Sequence, residues 1–182
     1  RKYALTMALL SSPRYESAFE PGCSIGILSA ALAERCDELI CTDLSSRAIE
    51  LASENLAPYG ERVRAYVADV VDDWPAGRFD LIVLSELLYY LDDAARAALP
   101  DLLEQVTCGA EAPEVLAVTV DGKSIADATC SGWPAFPLAC IARDAFRAGS
   151  DPKIWLASGV SAAVRKLQPQ CRVIGIEPEG ND

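Results

Sequence analysis

The sequence contains no histidine. Its absence excludes Ser-His-Asp hydrolysis, histidine-held metal centres and the commonest general base. Basic residues are scarce as well: 16 Lys and Arg stand against 27 Asp and Glu, for a net charge of −11. A chain with no basic tract cannot neutralise a run of phosphates, so nucleic acid is not an expected partner. No apolar run approaches the ~18–20 residues of a membrane span, so no membrane partner is expected either. Residues 1–11 form an amphipathic stretch without a small-residue cleavage site, and no secretory leader is read there. The cysteines Cys23, Cys36, Cys41, Cys108, Cys130, Cys140 and Cys171 are odd in number and include no C-x-x-C pair. Most lie inside apolar segments and read as reduced core residues of a cytoplasmic protein, and no metal site is expected.

What is present is an ordinary globular composition, 51% apolar and 24% charged over 182 residues. That length suits one domain at ~150 residues each. Strand and helix patterns alternate. Residues 2–11 have helical apolar spacing, and Ser17 to Glu20 read as a strand that ends at Pro21-Gly22. Ile25, Leu28 and Leu32 mark a helix, and Glu38 to Asp43 a second strand. Ser45 or Ser46 caps a further helix with a stripe of Ile49, Ala52 and Leu56, stopped by Pro58 and Gly60. Val63, Ala65 and Val67 alternate as a third strand. Phe79 to Leu84 is a continuous apolar run that suits a strand covered on both faces. Asp92 or Asp93 opens a helix to about Gln105, and Val115 to Val120 form a fifth strand. This is the pattern of a doubly wound, mostly parallel α/β sheet over residues 1–120. Residues 121–182 are less regular and are expected to complete the same domain. There Leu138 to Phe146 read as a modest helix, Ser158 to Leu167 as another, and Cys171 to Glu177 as a strand.

The chemistry-bearing stretch is Glu20-Pro21-Gly22-Cys23-Ser24-Ile25-Gly26, between the first strand and its helix. Gly22 permits the turn and the approach of a ligand, and Gly26 lets the helix pack against the strand. Acids then follow successive strands: Asp43 after the second, Asp69 after the third and Glu86 after the fourth. In open α/β sheets the ligand lies beyond the carboxyl ends of the strands. Asp43 stands where a carboxylate accepts from ribose hydroxyls, and Asp69 where one accepts the amine of an adenine. Acids in these places disfavour a pyrophosphate and suit the sulfonium and amino groups of S-adenosylmethionine. Each has a plainer reading too. Asp43 could cap a helix, Asp69 could be a surface acid, Tyr89 and Tyr90 could be packing residues, and Trp74 either covers the adenine edge or packs.

These motifs, with Phe79-Asp80-Leu81-Ile82-Val83-Leu84-Ser85-Glu86-Leu87-Leu88-Tyr89-Tyr90-Leu91, resemble those of class I S-adenosylmethionine methyltransferases. Within that superfamily they look most like the nodulation-protein S type N-methyltransferases, over residues 1 to about 135. The resemblance implies that Glu20, Gly22, Cys23 and Gly26 hold the methionine part of the cofactor. It assigns Asp43 and Leu44 to the ribose, Asp69 and Val70 to the adenine, and Ser85 to the border of the transfer site. Glu86 and Tyr89 are the implied catalytic residues, and Asp127 and Trp133 candidate acceptor contacts. Ser24 departs from the pattern, where many members carry glycine. The implied reaction is in-line methyl transfer to a small-molecule acceptor, an amine in preference to a hydroxyl because the acidic rim attracts cations. With no histidine, Glu86, a tyrosine or water must take the amine proton. A non-catalytic adenosyl-ligand-binding remnant of the fold is the second reading. A monomer or a homodimer is compatible with the apolar stretch from Trp133 to Cys140.

Residues 156–182 resemble a different family, the pyridoxal-phosphate serine/threonine dehydratases, notably in Val173-Ile174-Gly175-Ile176-Glu177-Pro178-Glu179-Gly180. No Schiff-base lysine motif is present, and a pyridoxal enzyme is not expected. The segment is compatible with a converged strand that completes the sheet, with a fusion or frameshift, or with a piece of a larger protein. The antiparallel hairpin that normally closes the methyltransferase sheet is not evident in the sequence.

Overall fold

The structure, a computed structural model, describes residues 2–107, 114–119, 138–142 and 172–173. Helix α1 (Lys2–Leu9) leads into β1 (Tyr15–Pro21), α2 (Ile27–Ala33), β2 (Cys36–Asp43), α3 (Ser46–Leu56) and β3 (Val63–Val67). These are followed by β4 (Leu81–Ser85), α4 (Asp93–Thr107), β5 (Glu114–Thr119), β6 (Leu138–Ala142) and β7 (Arg172–Val173). The strands form one sheet in the order β3-β2-β1-β4-β5-β6-β7. All six described pairings are parallel. The chain winds outward from β1 to β3, then returns to the other side of β1 to begin β4. The reversal opens a crevice at the carboxyl ends of β1 and β4, the place where open α/β sheets hold ligands.

The β4 run explains why so much of this sheet is apolar. Leu81 and Val83 face one core, with Leu28 and Leu32 of α2 and Ile49, Ala52 and Leu56 of α3. Ile82 and Leu84 face the other, with Phe19, Phe79 and Leu99, Leu103 and Val106 of α4. A period of two on a strand covered by helices on both faces therefore requires apolar residues at every position. Helix α3 follows the sequence reading closely. The Ser45 hydroxyl accepts from the Ala48 amide at 3.2 Å as the N-cap, and Ile49, Ala52 and Leu56 are its buried stripe.

Two expectations change. Residues Leu138–Ala142 form a strand beside β5, not the start of a helix. A five-residue apolar run fits either element, and the open backbone edge of β5 decides for the strand. Gly26 packs against α3, not against a strand: a Cβ there would lie 3.2 Å from the Cα and Cβ of Ala52. Both strands described after β5 are parallel to their neighbours, so the usual antiparallel closure is not seen among the described residues. The expected helix over Ser158 to Leu167, the candidate acceptor contacts Asp127 and Trp133, and the apolar stretch from Trp133 to Pro137 lie outside the described residues. So does the segment resembling pyridoxal enzymes, apart from Arg172–Val173. Among the described residues no helix is long and apolar enough to cross a membrane.

Candidate functional site

The turn after β1 is built from left-handed backbone. Gly22, Ser24 and Gly26 have φ of +73°, +52° and +78°. The Cys23 amide donates to the Thr42 carbonyl at 2.9 Å, which ties the turn to the end of β2. Asp43 completes the tie. Its Oδ2 accepts from the Ser24 amide and its Oδ1 from the Ser45 amide, each at 2.9 Å. One carboxylate thus joins the glycine turn to the start of α3, and each of its oxygens keeps lone-pair capacity for a further donor.

Ser24 pays for this arrangement with a conformation that an L side chain disfavours by ~1–2 kcal/mol. Ser24→Gly is expected to stabilise the chain by up to about 1 kcal/mol, because the relief exceeds the added entropy of glycine in the unfolded state. A urea-unfolding midpoint measures this, and a lowered midpoint would refute the strain assignment.

Glu20, at the end of β1, is only 2% exposed and accepts from the Ser29 hydroxyl at 2.6 Å. Burial pushes its carboxyl up to about 8, against a smaller lowering by Ser29, so at neutral pH it is mostly uncharged. The Cys23 thiol is pushed above the usual range by its hydrogen bond with Cys41 and by burial. It therefore remains a neutral thiol. Cys23, Cys36 and Cys41 are all buried free thiols.

After β3, Asp69 closes its own turn: Oδ1 accepts from the Val71 amide at 2.8 Å. Trp74 braces that turn from behind. Its indole N–H donates to the Val70 carbonyl, and its ring meets Phe19 edge-on at 5.2 Å. Trp74 is thus a packing residue and does not line the cleft. After β4 the backbone turns left-handed at Glu86, with φ +58°.

These turns enclose a cleft of about 720 Å³. It brings together Glu20, Gly22, Cys23, Asp43, Leu44, Asp69, Val70, Ser85 and Glu86 of the expected set. Gly26 is not part of its wall, having been used against α3. Tyr89 lies on the turn Leu88–Tyr90, and its side chain is outside the described residues. The neighbouring Tyr90 does line the cleft and is 77% exposed. Sequence reasoning missed Tyr3, Val71, Asp92 and Ala95. Val71 was within reach as the next residue after Asp69-Val70. Asp92 reads in the sequence only as the opening of α4, and it does accept from the Ala95 amide at 2.8 Å. Tyr3 gave no local signal, because only packing brings α1 over the sheet. Among the described residues lining the cleft there is no Lys or Arg, while Glu20, Asp43, Asp69, Glu86 and Asp92 are all present.

A parallel sheet with a glycine turn after β1, and an acid after each of the next two strands, is the doubly wound α/β arrangement whose strand ends hold ligands. Comparison with known proteins narrows the class. The family model described as methyltransferase domain matches residues 18–108, half of the chain, and the chain belongs to that family. Nodulation protein S of Sinorhizobium fredii is 32% identical over 126 residues, covering 68% of this chain and 54% of the relative. The chain spans about half the length of the curated relatives it matches. Among crystal structures, a candidate methyltransferase from Pseudomonas syringae is 50% identical with a TM-score of 0.54, covering 60% of this chain and 68% of the other. The N-methyltransferase NodS from Bradyrhizobium japonicum, in complex with S-adenosyl-L-homocysteine, is 29% identical with a TM-score of 0.55. That match covers 58% of this chain and 55% of the other.

Proposed function

We propose that the chain binds S-adenosylmethionine in this cleft and takes part in methyl transfer to a small-molecule amine. The observation that carries the reading is the lining itself: five carboxyl groups and no basic side chain among the described residues. Such a wall repels a phosphate-bearing ligand and suits one that carries hydroxyls, an exocyclic amine and positive charge. Asp43 accepts from the ribose hydroxyls with the capacity left after its two amide bonds. Leu44 lies beside it, Asp69 and Val70 hold the adenine, and Glu20, Gly22 and Cys23 hold the methionine end. When bound, S-adenosylmethionine supplies a methyl group already activated on a sulfonium.

What remains for the protein is alignment and proton removal. Holding donor and acceptor in contact removes much of the entropic barrier. Ser85 and Glu86 border the transfer site, and the Glu86 carboxylate takes the proton that an ammonium acceptor must lose before its lone pair is available. Tyr89, on the next turn, is proposed beside it. The N-methyltransferase described among the structural relatives supports nitrogen as the acceptor atom.

The test is calorimetric titration of the full chain with S-adenosylhomocysteine, followed by incubation with S-adenosylmethionine and a panel of primary amines. Micromolar binding and a product heavier by one methylene unit are the expected results. Binding with no methylated product from any amine would overturn the catalytic part and leave an adenosyl-ligand-binding protein.

A further inference from the structure

Two side chains outside the cleft hold one end of an element whose other end forms its wall. Tyr3, in the first turn of α1, lines the cleft at the carboxyl side of the sheet. The helix, eight residues and about 12 Å long at 1.5 Å per residue, runs back toward the side where strands begin. There its C-terminal end and the connection to β1 are gripped twice.

Arg35, the residue before β2, directs its guanidinium at four carbonyls of that segment. Nη1 donates to Met7 at 2.7 Å and Nε to Pro13 at 3.2 Å. Nη2 donates to Leu10 at 3.5 Å and also to Ser12. The last turn of a helix leaves carbonyls without an intrahelical partner, and a cation is the group that suits them. Glu114, the first residue of β5, grips the same segment as well. It is 5% exposed and accepts from the Ser11 amide at 3.1 and 3.2 Å, the Ser11 hydroxyl at 2.6 Å and the Tyr15 hydroxyl at 2.5 Å. The Tyr15 oxygen in turn accepts from the Ser12 amide at 3.1 Å. Burial, with the bond to Glu114, pushes the Tyr15 hydroxyl up to about 12, so it stays a donor throughout the working pH range.

Neither Arg35 nor Glu114 lines the cleft. A loop closed only by its own turn would not need a guanidinium and a buried carboxylate at once. We propose that Arg35 and Glu114 are positioning residues for the adenosyl ligand: they clamp the C-terminal end of α1 so that Tyr3, at its other end, is held in the cleft wall. The inference rests on the reading of the cleft as an adenosyl site. The clamp acts through α1 as a lever. Tyr3 and Met7 both pack on the same core as Leu28 and Leu32, an apolar contact that does not fix the helix along its axis, so release of the far end lets the helix slide on α2 and withdraws Tyr3.

The experiment is a double-mutant cycle read as the dissociation constant for S-adenosylhomocysteine, with thermal midpoints recorded alongside. Arg35→Met and Tyr3→Ala are each expected to weaken binding about tenfold. The double variant is expected to weaken it by about the same tenfold, not a hundredfold, because a displaced helix has nothing further to withdraw once Tyr3 is gone. A clamp that serves stability alone would lower the midpoint and leave the affinity of the folded protein unchanged, and that result overturns the proposal. Losses that multiply in the double variant overturn it equally. Glu114→Gln runs the same cycle if Arg35→Met does not fold. Failure of the parent chain to bind S-adenosylhomocysteine would overturn the reading of the cleft itself, a result distinct from normal binding by the clamp variants.

Discussion

Asp43→Ala is expected to weaken S-adenosylhomocysteine binding by roughly a hundredfold, about 2–3 kcal/mol. Two losses combine. The proposed acceptor for the ribose hydroxyls disappears, and the amides of Ser24 and Ser45 lose the carboxylate that joins them at 2.9 Å each. The second loss falls on the fold as well, since the glycine turn and the start of α3 are no longer linked. A lowered melting temperature is therefore expected beside the loss of affinity. Asp43→Asn separates the two effects. Its amide keeps one acceptor oxygen but turns an N–H₂ donor toward one of the two backbone donors, so one link survives and one becomes a repulsion. Affinity between parent and Ala variant is the expected outcome. Calorimetry on the folded variants measures both, and undiminished affinity in Asp43→Ala would remove the ribose assignment.

The second large effect concerns pH and runs against the usual behaviour of carboxylates. Glu20 is raised from its ordinary value near 4.5 to about 8 by burial. In the unfolded chain it has lost its proton above about pH 5, whereas in the folded chain it retains it until about pH 8. Between those limits the folded state binds the extra proton, so stability falls as pH rises. The contribution is fully present below the unfolded value and is gone once pH passes the folded one. Each pH step between the two values costs ~1.4 kcal/mol, so the loss across the window is roughly 5 kcal/mol. Glu20→Gln keeps an oxygen for the Ser29 hydroxyl and removes the titration. Its unfolding free energy is expected to be flat where that of the parent declines, so the variant is the more stable protein above pH 8. Urea unfolding at about pH 6 and about pH 8.5, which brackets the folded value, checks this. Parallel pH dependence in the two proteins would show that Glu20 ionises normally.

In the proposed reading of the cleft, the same charge state bears on ligand binding. A cationic group that enters beside Glu20 stabilises its ionised form, and mildly alkaline conditions supply that form in advance. The carboxylates that line the cleft are thus not equivalent: Asp43 is fixed by amides, Asp69 by its own turn, and Glu20 is held mostly neutral until a cation or a higher pH draws off its proton.

Local pattern alone was sufficient for the parts of the molecule whose environment is uniform. The stripe of Ile49, Ala52 and Leu56 with Ser45 as cap defines α3 without reference to its neighbours, and the unbroken run in β4 announces a strand covered on both faces. The acids after β2, β3 and β4 were placed around one crevice by the same logic, because parallel winding sends every strand end to one side. Only the tertiary structure decided what depends on the far side of a contact. Leu138–Ala142 became a strand because β5 offered an open edge, Gly26 served α3 because a Cβ there would come within 3.2 Å of Ala52, and Trp74 went behind the Val70 turn because Phe19 was there to receive it. Tyr3 joined the cleft through a helix gripped at its other end, and Glu20 became a neutral acid through burial that no neighbouring residue in the sequence reveals. Periodicity reports which face of an element turns inward, while partner, charge state and the final wall of a site are set by residues distant in sequence that pack close in space.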